Sequence, residues 1–148
     1  MTGIRISLGL CLPRDAATLP VVRHIAERAL DELGVEAAAI ADVALALTEA
    51  SANVVKHSGA GDVYEVHLTV ENNVCEIRVV DSGQGFDVTS PGPAMAGPTE
   101  ERGRGMALMA ALVDSVQFDL RPETGTVVRL VKDLPLRPDA ALRRLTGQ

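Results

Sequence analysis

The sequence of 148 residues has no tryptophan, one tyrosine and two phenylalanines, so aromatics make up only 2% of it. Proteins that hold single-stranded nucleic acid by stacking need aromatic platforms, and this chain has almost none. A positive surplus is missing too: 14 Lys and Arg stand against 20 Asp and Glu, a net charge of −6. Binding to nucleic acid without sequence preference rests on cationic contacts to phosphate, so the composition argues against nucleic acid as a direct ligand. Cys11 and Cys75 are too few and too far apart for a zinc cluster or a CxxC motif, and nothing demands a disulfide. No window reaches the ~18 apolar residues of a membrane span, and Met1 to Leu12 has broken hydrophobicity unlike a secretory signal. A cytoplasmic protein without a membrane association is therefore expected. A GxxxxGK[ST] loop is absent, which excludes the commonest ATP-binding turn, and so is the βαβ alternation of a Rossmann or P-loop domain.

What is present is aliphatic. Hydrophobic residues are 47% of the chain, enough for one domain that buries about two-thirds of its unfolded surface. The organising stretch is Val43 to His57, VALALTEASANVVKH. Glu49 and Asn53 are four residues apart, so on a helix they share one face, separated by roughly 6 Å along the axis. Asp42 and Lys56 fall on the same stripe. Ile40, Val43, Leu47, Ala50 and Val54 fall on the opposite side, which must pack on something. An isolated Glu-x-x-x-Asn is ordinarily a solvated helix face; here the polar stripe points at water or at a cavity.

Along the chain, Ile4 to Leu12 alternates as an edge strand does and Pro13 ends it. Asp15 is a cap candidate for a first helix, with Pro20 an alternative marker of its first turn, and Gly34 is a natural C′ residue. His24 on this helix is expected to be an ordinary, partly exposed side chain. Val35 to His57 reads as the second helix. Two alternating runs, Tyr64 to Val70 and Val74 to Val79, flank Asn72-Asn73, a pair that tolerates positive φ, and read as a hairpin. Phe86 to Arg102 is rich in Pro and Gly with little periodicity, and a loop of that length in a small domain is usually functional or disordered. We read it as a lid over about 87–102. A short helix is expected to open at Gly103, followed by strands over Val116 to Leu120 and Thr126 to Val131. Residues 135–148 form a tail that frays or makes a short helix, leaving 1–134 as the domain. Helices grouped ahead of neighbouring antiparallel strands predict an α+β fold, a two-layer sandwich with a mixed, mostly antiparallel sheet and helices on one face.

Two glycine motifs accompany the helix. Asp81-x-Gly83-x-Gly85 follows a strand end, where the glycines let the backbone turn tightly against a flat ligand. A carboxylate there can accept a hydrogen bond from an exocyclic amine. Gly103-Arg104-Gly105 at a helix start favours an anion, because unpaired N–H groups and the helix dipole act together.

In combination, Glu49-x-x-x-Asn53, Asp81-x-Gly83-x-Gly85, Gly103-x-Gly105 and Gly125-Thr126 resemble the N, G1 and G2 boxes of the GHKL ATPase superfamily, over roughly Leu12 to Leu134. The Leu12-Pro13 opening, the Leu33-Gly34-Val35 junction and Leu47-Thr-Glu-Ala-x-x-Asn53-x-x-x-His57 look most like the anti-sigma-factor serine kinases of bacterial partner-switching systems. The resemblance implies a Bergerat-type fold, ATP and Mg²⁺ as cofactors, and a protein serine/threonine kinase. It implies Asn53 as the Mg²⁺ ligand, Glu49 as the base, Asp81 on adenine with Thr126 in support, and Gly83 and Gly85 shaping that pocket. Arg102, Gly103, Arg104 and Gly105 would hold phosphates, with Arg102 or Arg104 offsetting charge. Met106 replaces the usual leucine, a volume-conserving change. Lys56 and His57 lie near this end of the helix and are read as structural. The implied partners are a STAS-type anti-anti-sigma protein and a sigma factor, with a homodimer as the resting state. Two other readings stay open: a nucleotide-gated binding module without catalysis, and the ATP-binding domain of a sensor histidine kinase, which needs an upstream two-helix hairpin.

Overall fold

The computed structural model describes residues 4–57, 63–81, 100–121 and 125–146. Strands β1 (Arg5–Pro13), β2 (Val63–Glu71), β3 (Val74–Asp81), β4 (Ser115–Arg121) and β5 (Gly125–Asp133) form one sheet in the order β1-β2-β3-β5-β4. The α+β sandwich is as expected, but the sheet is not mixed: each neighbouring pair is antiparallel. The cause lies in the connectivity. A helix joins β3 to β4, which run parallel, and β5 inserts between them, so the one crossover pair never become neighbours. Asn72 and Asn73 take φ of 51° and 65° in the β2–β3 turn, as a tight hairpin with the right-handed strand twist requires.

Among the described residues four helices accompany the sheet: α1 (Thr18–Leu33), α2 (Ala37–His57), α3 (Glu100–Leu112) and α4 (Ala141–Thr146). Asp15 does not cap α1 directly. Its Oδ1 accepts the N–H of Ala17 at 2.8 Å, shaping the turn just ahead of the helix, while Pro20 falls in the first turn, where a missing N–H costs nothing. Gly34 closes α1 at φ 90°, and the N–H of Val35 reaches back to the carbonyl of Leu30 at 3.1 Å. Val35 is not part of α2, because it forms a bridge with Leu136.

That bridge begins the seating of the C-terminal residues. Leu134, Leu136, Ala140 and Leu142 are buried. Arg137 donates to the carbonyls of Val35 at 2.8 Å and Asp31 at 2.9 Å, and to Oδ1 of Asp31 at 3.2 Å. Between fraying and a short helix, the segment forms the helix, α4.

The core lies between one sheet face and the helices. Tyr64, Val66, Leu68 and Val70 of β2, Cys75, Ile77 and Val79 of β3, and Val128 and Leu130 of β5 alternate into it. Against them α1 sets Val22, Ala26 and Leu30, and α2 sets Val43, Leu47, Ala50 and Val54. As the composition foretold, the packing is aliphatic; Tyr64 is the one buried aromatic among the described residues. By length and composition α2 is apolar enough to cross a membrane, but its apolar stripe is this core. The opposite sheet face is polar, with Arg129 bonded to Glu76 and Gln117 on the neighbouring strands.

Candidate functional site

The apolar stripe of α2 faces the sheet, which turns the stripe of Glu49 and Asn53 towards α3, where both are half-buried. Gly105 of α3 is buried directly against them. A Cβ at Gly105 would lie 3.2 Å from Oε2 of Glu49 and 3.8 Å from both Nδ2 and Oδ1 of Asn53. Among the described residues, no hydrogen bond or ion pair engages either the Glu49 carboxylate or the Asn53 carboxamide. Side chains of this type, half-withdrawn from water, normally find partners. Among the described residues the two stand side by side against a glycine, and their oxygens are of the kind that engage a cation or a hydrogen-bonding ligand.

Helix α3 begins earlier than the glycine pattern suggests. It starts at Glu100, so Gly103 and Gly105 lie inside it and residues 100–102 belong to the helix and not to the loop. The physical reason is the pair Glu100-Glu101, whose negative charge suits the positive end of a helix. With α3 starting at Glu100, Gly103 and Gly105 are its fourth and sixth residues, past the N–H groups that lack an intrahelical partner. Gly105 therefore contributes an absent side chain, not a free N–H. Its partner-facing side is set by Met109, which is fully buried, and by Met106 and Leu112, which pack on the core.

Asp81 ends β3 on the inward-facing stripe of Cys75, Ile77 and Val79 and is fully buried. Its cross-strand partner is Tyr64. The Tyr64 hydroxyl lies 2.6 Å from Oγ1 of Thr18, which is itself 2.7 Å from the carbonyl of Asp15. A threonine hydroxyl has one proton to give, and the carbonyl can only accept it, so Tyr64 is the donor to Thr18. Burial pushes the Tyr64 phenol above its ordinary pKa, and the bond to Thr18 works weakly the other way. Neighbouring β5 pairs Val127 with Val80, the residue before Asp81, and the described pairing of the two strands ends there.

The structure thus brings together Glu49, Asn53 and Gly105, and ends β3 at Asp81, one position past its last described pair with β5, Val80 with Val127. Gly83, Gly85 and residues 87–99 of the expected lid lie outside the described residues, as do the side chains of Arg102, Arg104 and Thr126. Sequence reasoning passed over Tyr64 and Thr18. The signal was present: a hairpin turning on Asn72-Asn73 pairs position 64 with position 81, so the single tyrosine had to face the aspartate.

A family profile described as "Histidine kinase-like ATPase domain" matches residues 12–132. The serine-protein kinase RsbW of Bacillus thuringiensis (strain Al Hakam) is 29% identical over 117 residues, covering 72% of this chain and 73% of that protein. The anti-sigma F factor of Bacillus subtilis (strain 168) is 28% identical over 103 residues, covering 64% of this chain and 70% of that one. Among solved structures, the RsbU and RsbW domains of Rv1364c from Mycobacterium tuberculosis superpose with a TM-score of 0.69 at 23% identity. That match covers 89% of this chain, which spans 34% of the solved one; it speaks to the fold alone. With the profile spanning most of its length, the chain belongs to the histidine kinase-like ATPase domain family.

Proposed function

We propose that the chain is an ATP-dependent protein serine kinase that also acts as an anti-sigma factor, phosphorylating a STAS-type anti-anti-sigma partner and sequestering a sigma factor. The observation that carries this reading is the convergence of Glu49, Asn53 and Gly105, with both polar side chains unengaged among the described residues. A carboxylate and a carboxamide one helical turn apart are suited to two tasks. Asn53 offers a neutral oxygen to Mg²⁺, a hard cation that keeps most of its ligands as water and phosphate. Glu49 accepts the proton of an attacking serine hydroxyl.

When bound, Mg·ATP supplies the phosphoryl group to be transferred; the chain supplies position and charge. Asp81 is buried at a strand end, where a carboxylate suits the exocyclic amine of adenine, and Thr126 supports that contact. Gly83 and Gly85 shape the same pocket, while Arg102, Gly103 and Arg104 hold the phosphates and Gly105, lacking a side chain, leaves them room beside Glu49 and Asn53. The relatives, a serine-protein kinase and an anti-sigma factor, support both halves of the proposal. A cytoplasmic homodimer belongs to the same reading.

The test is incubation with Mg·ATP and candidate STAS-domain proteins, followed by mass spectrometry of the partner. Phosphoserine on the partner, lost with Glu49→Gln, supports the kinase. Its absence with the intact protein, under conditions where the complex forms, leaves only a binding module.

A further inference from the structure

Strand β5 breaks its own pattern at one place. Val128 and Leu130 point into the core at 2% and 1% exposure, and the next residue on that face is Lys132. Its side chain is only 16% exposed. An ammonium on the core side of a sheet is unfavourable unless its protons are taken up. Here they are directed at two helices at once. Nζ donates to the carbonyl of Leu112, the last residue of α3, at 3.0 Å, and lies 3.8 Å from Oδ2 of Asp42 on α2.

These contacts have a definite relation to the candidate site. Asp42 lies seven residues before Glu49 on the same stripe of α2, and Leu112 lies seven residues after Gly105 on α3. Seven residues are two helical turns, or about 10.5 Å. The helices are therefore antiparallel, joined at one end by the approach of Gly105 to Glu49 and Asn53 and at the other by Lys132. The cation also lies at the negative end of α3, where the helix dipole favours it.

From this arrangement we infer that Lys132 is a positioning residue: it clamps the far end of α3 to α2 and so fixes how closely Gly105 approaches Glu49 and Asn53. Its consequence for nucleotide affinity rests on the proposed function; the clamp itself does not. An apolar residue of similar length would suit the surrounding core, and Asp42, 43% exposed, can turn to water when the lysine is lost, as the partner of a weak exposed pair does. A lysine that served stability alone would thus show its loss in melting temperature. A positioning lysine shows it in α3 and in the site.

The experiment uses the full chain as wild type, Lys132→Met, Asp42→Asn and the double variant. Hydrogen exchange is measured without nucleotide, and Mg·ATP affinity by calorimetry. The clamp predicts that Lys132→Met speeds amide exchange over 105–112 about tenfold or more, leaves β2 and β3 protected, and keeps the melting temperature. It also predicts that affinity weakens several-fold, that Lys132→Arg restores part of it, and that the double variant is no worse than Lys132→Met. Unchanged α3 exchange, or faster exchange with affinity within twofold of wild type, overturns the inference. Wild type that binds no Mg·ATP overturns the proposed function instead, and the exchange result then decides the clamp by itself.

Discussion

Gly105 and Glu49 stand so close that a single added carbon at the glycine would lie 3.2 Å from the carboxylate's Oε2. That spacing makes stability and binding respond in opposite directions to one substitution. In Gly105→Ala the helix gains about 0.8–1.0 kcal/mol of intrinsic propensity. Glu49 is the end of a flexible side chain that yields by a few tenths of an ångström. The expected result is a melting temperature equal to or above wild type, with Mg·ATP affinity reduced about tenfold or more. Thermal denaturation and calorimetry on the same sample check it.

On the proposed function Glu49 and Asn53 have different tasks, base and cation ligand, and their variants separate binding from turnover. Glu49→Gln keeps shape and removes the base, so nucleotide affinity stays within a few-fold while phosphoryl transfer falls about 10²–10⁴-fold, the usual worth of general-base catalysis. Asn53→Ala removes the oxygen offered to Mg²⁺, and the gain in ATP affinity on adding Mg²⁺ should disappear. Single-turnover kinetics beside titrations with and without the cation distinguish the two patterns.

Gly34 carries two constraints at once. Its φ is 90°, and a Cβ would meet Cα of Ala140 at 2.4 Å, a backbone atom that cannot move aside cheaply. Left-handed strain costs a non-glycine residue roughly 1–2 kcal/mol before the clash is counted. Gly34→Ala should therefore destabilise the chain by about 3 kcal/mol or more, among the larger effects of single substitutions. Urea titration reads it directly, and a loss under 1 kcal/mol would mean that 134–146 does not dock on the α1–α2 junction.

Cys75 gives a pH dependence with a fixed sign. Burial first, and the charge of Glu76 second, push its thiol from 9.0 to about 12. Between those values the unfolded chain releases a proton that the folded chain keeps. The contribution is thus fully present below pH ~9 and lost as pH rises towards 12, at up to about 1.4 kcal/mol per unit. Denaturant titrations at pH 8 and pH 10.5 should show a steeper loss for wild type than for Cys75→Ala. Cys11, exposed on β1, should react with iodoacetamide in the folded protein while Cys75 does not.

Much of this was legible in the residues. The 3.6-residue period of Val43, Leu47, Ala50 and Val54 fixed which side of α2 is core, and so where Glu49 and Asn53 point. Asn72-Asn73 fixed the hairpin register, and with it the pairing of Tyr64 and Asp81. What the pattern misread were places where a distant segment decides a local choice. Val35 reads as helix, but Leu136, far along the chain, draws it into a bridge. Gly103 reads as a helix start, since glycine is a poor interior residue; the acidic pair ahead of it and the packing of Met109 extend α3 regardless. The sheet's strict antiparallelism depends on β5 entering between β3 and β4, which no local signal encodes. Lys132 falls just past the strand read over Thr126 to Val131, and its two acceptors belong to other elements.

The central claim is that the cluster of Glu49, Asn53 and Gly105 is part of a site for an adenine nucleotide with its magnesium. Isothermal titration of Mg·ATP into wild type and Asn53→Ala tests it most directly. The account predicts saturable one-site binding to wild type and a loss of about tenfold or more in the variant, the scale of removing a first-contact ligand worth 1.4 kcal/mol or above. Equal heats for both proteins, or no heat with either ATP or ADP, would contradict it.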